Sequence, residues 1–353
     1  MLNLTYQSKR MPALTTAHTE GFEWWYVDLV DAEGTGIVVI WGLRNPFLPV
    51  DYSGKMGPSV SVVIYERGEK TFSLHQVYEN GEYHREGARW RIGDSMFQWR
   101  TRGARGLLEL SINCPIPGHA ARLHASIRIR GVPCSAPERS GNPSALMWCP
   151  FLLRGTGTGR VSWGEGPLTL NGRAYFDSNG SMEELGNLGM HSWCWGRLTN
   201  EGRTLVWFAT EGEHPQQLFL DASDAHGIHN TSGAVTLAHG GWTRFGTRTL
   251  QRVDVQWGQD SVQVACHKPI ENGPFYQRYL VSCHIDGALF EGVVEQVFIR
   301  RMNLPVWNQL VPMAIDQMAD HRSYWLPFFS GSMRGRWRRL IRLFLGVSWR
   351  GDP

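Results

Sequence analysis

Tyr175 and Asp177 stand two residues apart in the segment NGRAYFDSNGSMEEL, residues 171–185. In a β-strand that spacing puts both side chains on one face. A carboxyl group held beside an aromatic ring on an inward barrel face is stripped of water, and that raises its pKa. Such an acid keeps its proton near neutrality and can donate it as a general acid. The same residues also read as a turn, in which the Asp-Ser-Asn-Gly run 177–180 places Asp177 to cap backbone amides. Composition alone favours the turn. His191, Trp193 and Trp195 alternate in the next segment. They either share a cavity with Asp177 or belong to an ordinary core.

Other common chemistry is missing from the chain. It has no GxSxG elbow, no HExxH pair and no phosphate-cradling glycine loop. The run GTGTG at 155–159 lacks the GxGxxG order and reads as a turn. Histidines such as His119, His124 and His239 occur singly, so no metal site is expected. The six cysteines (Cys114, Cys134, Cys149, Cys194, Cys266 and Cys283) form neither a CxxC pair nor a zinc-ligand spacing. They read as reduced, mostly buried thiols of a cytoplasmic protein.

The elements that would position Tyr175 and Asp177 are almost all strands. Residues 23–30 (EWWYVDLV), 36–43 (GIVVIWGL) and 60–65 (VSVVIY) are β-branched and aromatic runs. Residues 31–35 (DAEGT) read as a hairpin loop between the first two. Further strands are expected at 89–92, 96–100, 107–112 and 123–130. In the last, Leu123, Ala125, Ile127 and Ile129 face one side while His124, Ser126, Arg128 and Arg130 face the other. Residues 132–144 are rich in Pro, Ser and Gly and read as a plain connector or as a loop over a binding site. A second set of strands is expected at 192–197, 204–209, 217–221, 234–237, 249–257, 261–266, 276–285 and 292–298. Two successive all-β sets imply two packed barrels or sandwiches, with the boundary in 181–189.

Composition agrees. The chain has 353 residues, with 40 Gly and 18 Pro, which fits many turns and short strands. Charged residues are 19%, below the roughly 25% of an average globular chain. The net charge of +3 gives no strong field for nucleic acid. Sixteen Trp, 15 Phe and 10 Tyr suit an apolar pocket or a large β-core.

The ends differ from the middle. Residues 1–18 have no apolar stretch behind Lys9 and Arg10, so no secretory signal is expected. No apolar run is long enough for a membrane-spanning helix. Residues 306–325 lose β-alternation and read as partly helical. Residues 333–349 carry Arg334, Arg336, Arg338, Arg339 and Arg342 with no acid. There Trp337, Leu340, Ile341, Phe344 and Leu345 form the stripe of one helix face. A basic amphipathic helix between Arg334 and Arg350 reads as a membrane-surface contact, or as a helix docked on the protein itself.

The segment YFDSNGSMEEL followed by WCWGRL resembles the G-Y-x-D-x-N-x-G…W-x-W-x-R pattern of carotenoid 1,2-hydratases, also called hydroxyneurosporene synthases. EWWYVDLVD resembles the same family's early W-W-Y strand. The resemblance implies an all-β fold of two consecutive lipocalin-like antiparallel domains, placed at 1–182 and 183–303, and the charge and periodicity of the residues add a helical basic tail at 304–353. It implies cofactor-independent addition of water across a terminal double bond of an acyclic carotenoid or related isoprenoid, giving a tertiary alcohol. Asp177 matches the proposed acid and Tyr175 its aromatic partner. Trp148, in ALMWCPF, falls where the family carries an H-x-W motif, and Leu146 stands in place of its histidine. The run 180–184 also departs from the family's G-D-E-P pattern. Trp24, Trp25, Trp148, His191, Trp193 and Trp195 are the expected substrate-binding residues. The same superfamily contains cofactor-free Diels–Alderases, so a polyene cyclase is a second reading. A non-catalytic carrier of apolar ligands is a third. The expected location is cytoplasmic, at the inner membrane face if the tail binds lipid.

Overall fold

The computed structural model describes residues 21–47, 57–116, 120–134, 146–164, 166–223, 227–231 and 233–302, with short pieces at 5–6, 316–317, 323–325 and 331–332. These residues form three antiparallel sheets of fifteen, seven and three strands, with one parallel pairing at Thr5–Tyr6.

The first sheet is largely a meander. Phe22–Val30, Gly36–Leu43, Pro58–Glu66 and Glu69–Tyr78 pair in chain order. The Asp31 carboxylate closes the first hairpin by accepting the amides of Glu33 and Thr35, each at 2.8 Å. Leu168–Ser181 returns to pair with the free side of Phe22–Val30. Beyond it lie Met147–Ser162, Arg122–Gly131, Arg105–Pro115 and Ser95–Arg102. The sheet curls into a nearly closed barrel. Val62 and Leu74 from one flank meet Phe97 and Leu110 from the other in a single apolar core. Leu123, Ala125, Ile127 and Ile129 point into that core, as their alternation predicts.

Two runs expected as turns are strands. GTGTG lies within Met147–Ser162. A Cβ on Gly157 would come within 3.0 Å of side-chain carbons of Ile129 and Leu29. Here glycine admits neighbouring side chains instead of bending the chain. The Asp-Ser-Asn-Gly run also continues Leu168–Ser181, because Asp177, Ser178, Asn179 and Gly180 pair in register with residues 26 to 23. A backbone ladder on both sides outweighs the local turn preference of these residues.

The second sheet contains Met190–Thr199, Arg203–Gly212, Gln216–Ser223, Gly227–Thr231, Pro269–Asn272, Tyr276–Ile285 and Ala288–Phe298. The third contains Gly233–Trp242, Arg248–Trp257 and Asp260–Ala265. It covers one face of the second sheet, enclosing Leu198, Trp207, Phe219, Val253 and Val264. The opposite face of the second sheet packs on the first barrel through Trp24, Tyr26, Trp148, Tyr175, Trp193 and Trp195.

In 306–325, where partial helix is expected, the described pieces Asp316–Gln317 and Ser323–Trp325 are strands. Ser323–Trp325 and Gly331–Ser332 pair with Glu69–Tyr78, whose outer edge offers unpaired backbone groups. Residues 333–349 and 135–145 lie outside the described residues. Five of the six cysteines are buried, and all six are free thiols.

Candidate active site

Two paired strands present the acid. On Phe22–Val30, Trp24, Tyr26 and Asp28 face the second sheet, and on Leu168–Ser181 Tyr175 joins them. Asp177 lies directly across from Tyr26, and Tyr175 across from Asp28. On the other side Asp177 faces Pro150, where the ladder to Met147–Ser162 slips out of register. Proline has no amide to donate, so it is tolerated at such an irregularity.

Asp177 is 3% exposed. Its Oδ2 accepts hydrogen bonds from Trp148 Nε1 and from the Tyr175 hydroxyl, each at 2.7 Å. Asn179 Nδ2 lies 3.2 Å from Oδ1. Burial pushes the Asp177 carboxyl up to about 7, against the opposing pull of the two donors. The nearby charges of Glu295 and Asp28 push it the same way. Two donors on Oδ2 leave Oδ1 to carry the proton. The sequence thus places an acid that is protonated around neutrality at the centre of the interface.

Aromatic rings enclose it. Tyr26 and Tyr175 lie 6.1 Å apart between centroids, and Trp195 lies 5.8 Å from the first and 5.2 Å from the second. Trp148 contacts Phe208, which contacts Trp193, which stacks on Trp24. Gly196 explains part of the spacing in WCWGR. Any Cβ there would fall 2.0 Å from the Trp207 ring on the far face. Glycine therefore lets Trp195 and Arg197 reach the site while Trp207 fills the core behind them.

A buried ionic network borders the rings. Arg197 pairs with Asp28 at 2.7 Å and lies over the Tyr175 ring, 5.0 Å from its centroid. Arg278 pairs with Glu295 and receives the hydroxyls of Tyr26, Tyr65 and Tyr276 as acceptors. Glu271 pairs with Lys70 at 2.9 Å and accepts from the Tyr65 hydroxyl. The adjacent Lys70 and Arg278 charges outweigh burial and hold the Glu271 carboxyl down to about 2. Three carboxylates thus meet three cations. Asp177 forms no ion pair among the described residues, so keeping its proton avoids an uncompensated buried charge.

The model of the carotenoid hydratase CrtC family matches residues 51–323, well over half of the chain. The chain belongs to that family. It is 23% identical over 314 residues to the acyclic carotenoid 1,2-hydratase of Thiocapsa roseopersicina, covering 84% of this chain and 73% of that protein. Among solved structures, a Nitrosomonas europaea protein assigned as an AttH matches with a TM-score of 0.59 at 14% identity, over 82% of this chain and 97% of that one. CghA, solved with Sch210972, matches with a TM-score of 0.54 at 10% identity, over 83% and 94%. These two likenesses show the fold, which is all-β and lipocalin-like.

Against this family background, the structure gathers Trp24, Trp148, Tyr175, Asp177, Trp193 and Trp195 at one interface. Trp25 and His191 lie elsewhere. Trp25 points into the first barrel, against Trp90 and Phe97. His191 sits at a register shift, where its ring meets Arg300 instead of following the alternation of Trp193 and Trp195. Leu146, expected at the family's histidine position, is fully buried in the interface. Sequence reasoning missed Tyr26, Asp28 and Arg197, although Trp24, Tyr26 and Asp28 alternate and Arg197 follows Trp195 by two. Arg278 and Glu295 carried no such signal. Among the described residues no cluster of His, Cys, Asp or Glu is arranged to hold a metal ion.

Proposed function

We propose that this member of the carotenoid hydratase family adds water to a terminal carbon–carbon double bond of an acyclic carotenoid or related isoprenoid, with Asp177 as the proton donor. The observation that carries this reading is a buried, ring-enclosed carboxyl group outside any ion pair, with two donors on one oxygen. Proton transfer from Asp177 to the terminal alkene forms a tertiary carbocation. The Trp148 and Tyr175 donors then stabilise the new carboxylate. The faces of Tyr26, Tyr175, Trp148 and Trp195 stabilise the cation through their ring quadrupoles. Water captures the cation to give a tertiary alcohol, and no cofactor is needed for these steps. Because Asp177 is so little exposed, binding must part the surrounding rings.

A carotenoid dissolves in membranes, which gives the basic segment between Arg334 and Arg350 a surface to bind. Among the described residues no helix is long and apolar enough to cross a membrane.

A cyclase is the second reading. Buried Leu146 beside the Trp148 strand removes a polar group from the site, and ring closure guided by shape needs no such group. One experiment separates the readings. The protein is produced in cells that accumulate lycopene or neurosporene, and the pigments are weighed by mass spectrometry. Hydration adds the mass of one water, and Asp177→Asn lowers that product by about 10²–10⁴-fold, the usual worth of a general acid. An isomer of unchanged mass supports cyclisation. An unaltered pigment bound to the protein supports carriage. Hydration that persists in folded Asp177→Asn overturns the assignment of the acid.

A further inference from the structure

A small cleft lies beside the proposed acid and shares Tyr26 and Asp28 with its surroundings. The cleft lies between the first two sheets, with apolar walls that include Val30, Val38, Ile270 and Val293. Tyr26, Asp28, Tyr65 and Arg278 also line it. Its free space for a water-sized molecule is about 10 Å³, at the lower edge of the roughly 10–15 Å³ that a single water needs. Water suits this space and an isoprenoid chain does not.

The polar lining is shared with the acid site. Asp28 is fully buried and lies on the same face as Asp177, one step along the neighbouring strand. Such diagonal neighbours stand roughly 7–8 Å apart, enough for a reacting carbon and a water between them. Arg197 holds one Asp28 oxygen at 2.7 Å, and the Tyr26 hydroxyl holds the other at 3.1 Å. Two buried donors beside them, Trp195 Nε1 and Arg197 Nε, have no hydrogen-bond partner among the described residues. Buried donors of this kind normally meet an acceptor, often a water oxygen.

We infer that water reaches the cation through this cleft and that Asp28, held by Arg197 and Tyr26, orients that water and takes its proton. The inference rests on the hydration reading above. Asp177 loses its O–H proton to the terminal alkene, whose π electrons form the new C–H bond. A lone pair on water forms the C–O bond to the cation, and one water O–H bond breaks, its proton passing to Asp28. Asp28 then releases that proton to solvent in the cleft and Asp177 regains one, so the cycle closes without an oxidant or reductant. Arg197 is a positioning residue, because it acts through Asp28.

The test follows lycopene in D₂O with two readouts: the hydrated product, and deuterium in the recovered lycopene. Deuterium enters recovered substrate when the cation forms and collapses back before water adds. Asp177→Asn loses both. Asp28→Asn loses hydration by about 10²-fold or more, the lower range for a positioned base, yet retains deuterium incorporation. Asp28→Asn leaves Arg197 buried without its partner and can fail to fold. Val30→Phe therefore supplies the second test, because it narrows the cleft from a half-buried position without removing a charged group. It gives the same split, with hydration reduced and exchange retained. Equal loss of both readouts in folded Asp28→Asn overturns the inference, as does wild-type hydration in either variant. Wild-type protein that neither hydrates nor exchanges lycopene overturns the hydration reading itself.

Discussion

Phe22–Val30 and residues 174–181 of Leu168–Ser181 are buried on both faces, yet the two faces differ in character. Towards the first barrel they present Trp25, Val27, Leu29, Ala174 and Phe176, with Glu23 and Ser178 as buried polar groups on that face. Towards the second sheet they present Trp24, Tyr26, Asp28, Tyr175, Asp177 and Asn179. Both surfaces leave water to similar degrees, so burial does not account for the polar groups. An all-apolar face would pack at lower cost, since each buried polar group needs a partner. Asp177 has its partners, a hydroxyl and an indole donor on one oxygen, whereas Asn179 Oδ1 on the same face has none among the described residues. One pair of strands thus serves as core on one side and carries the proposed reaction surface on the other, divided by the two-residue period of the strand.

The hardest test of this division is on the dry face. Phe176 stacks on Phe151 at 4.7 Å and meets Phe97 and Trp99 edge-on. Phe176→Ala should cost about 3–5 kcal/mol of stability, as large core truncations do. Turnover per folded molecule should stay within about twofold, since Phe176 adjoins Asp177 in sequence but faces away from it. Urea unfolding with activity measured on the folded fraction checks both statements. Collapse of turnover without loss of stability would dissolve the distinction between the faces.

On the reactive face, Tyr175→Phe is the next largest change. Its hydroxyl donates to Asp177 and favours the ionised form of the acid. Without it, the carboxylate formed on proton transfer loses a hydrogen bond to a charged group, worth roughly 1.5 kcal/mol and so about tenfold in rate. The pH profile moves as well. Wild-type activity should fall as pH rises through about 7, where Asp177 loses its proton. Removing a donor that favours the carboxylate raises that pKa, so the falling limb moves to higher pH. A limb that stays in place, or moves to lower pH, would mean that Asp177 is not the titrating acid.

Much of this was legible in the chain. Gly36–Leu43 and Tyr276–Ile285 match their expected bounds, because β-branched and aromatic runs between turn residues have few other uses. Tyr175 and Asp177 share a face as their spacing requires. What failed was local turn chemistry. Asp177 to Gly180 and GTGTG look like turns in isolation, and only the partner strands make them ladder segments. Residues 69–78 gave no strand expectation, yet Glu69–Tyr78 takes up the next place in the meander. The ionic half of the site was illegible for another reason. Arg278 reaches Tyr26 across 252 positions of sequence, and no periodicity encodes such a contact.

His191 marks where the strand period itself breaks, and it gives the smallest expected effect. Counting back by twos from Trp195 through Trp193 puts His191 on the reactive face. The register shift between Met190 and Ser192 cancels that count. The ring is half-buried and meets the Arg300 side chain at the rim of the sheet. A contact of this exposure is worth at most about 0.5 kcal/mol. His191→Ala should therefore leave turnover within about twofold and the pH profile unchanged, whereas Trp193→Ala, two residues on, removes a ring stacked on Trp24 within the cluster. Steady-state rates of His191→Ala across the pH range would reveal any error. A drop as large as that of Tyr175→Phe would place His191 among the reacting groups, and the register shift would then be the device that turns it towards them.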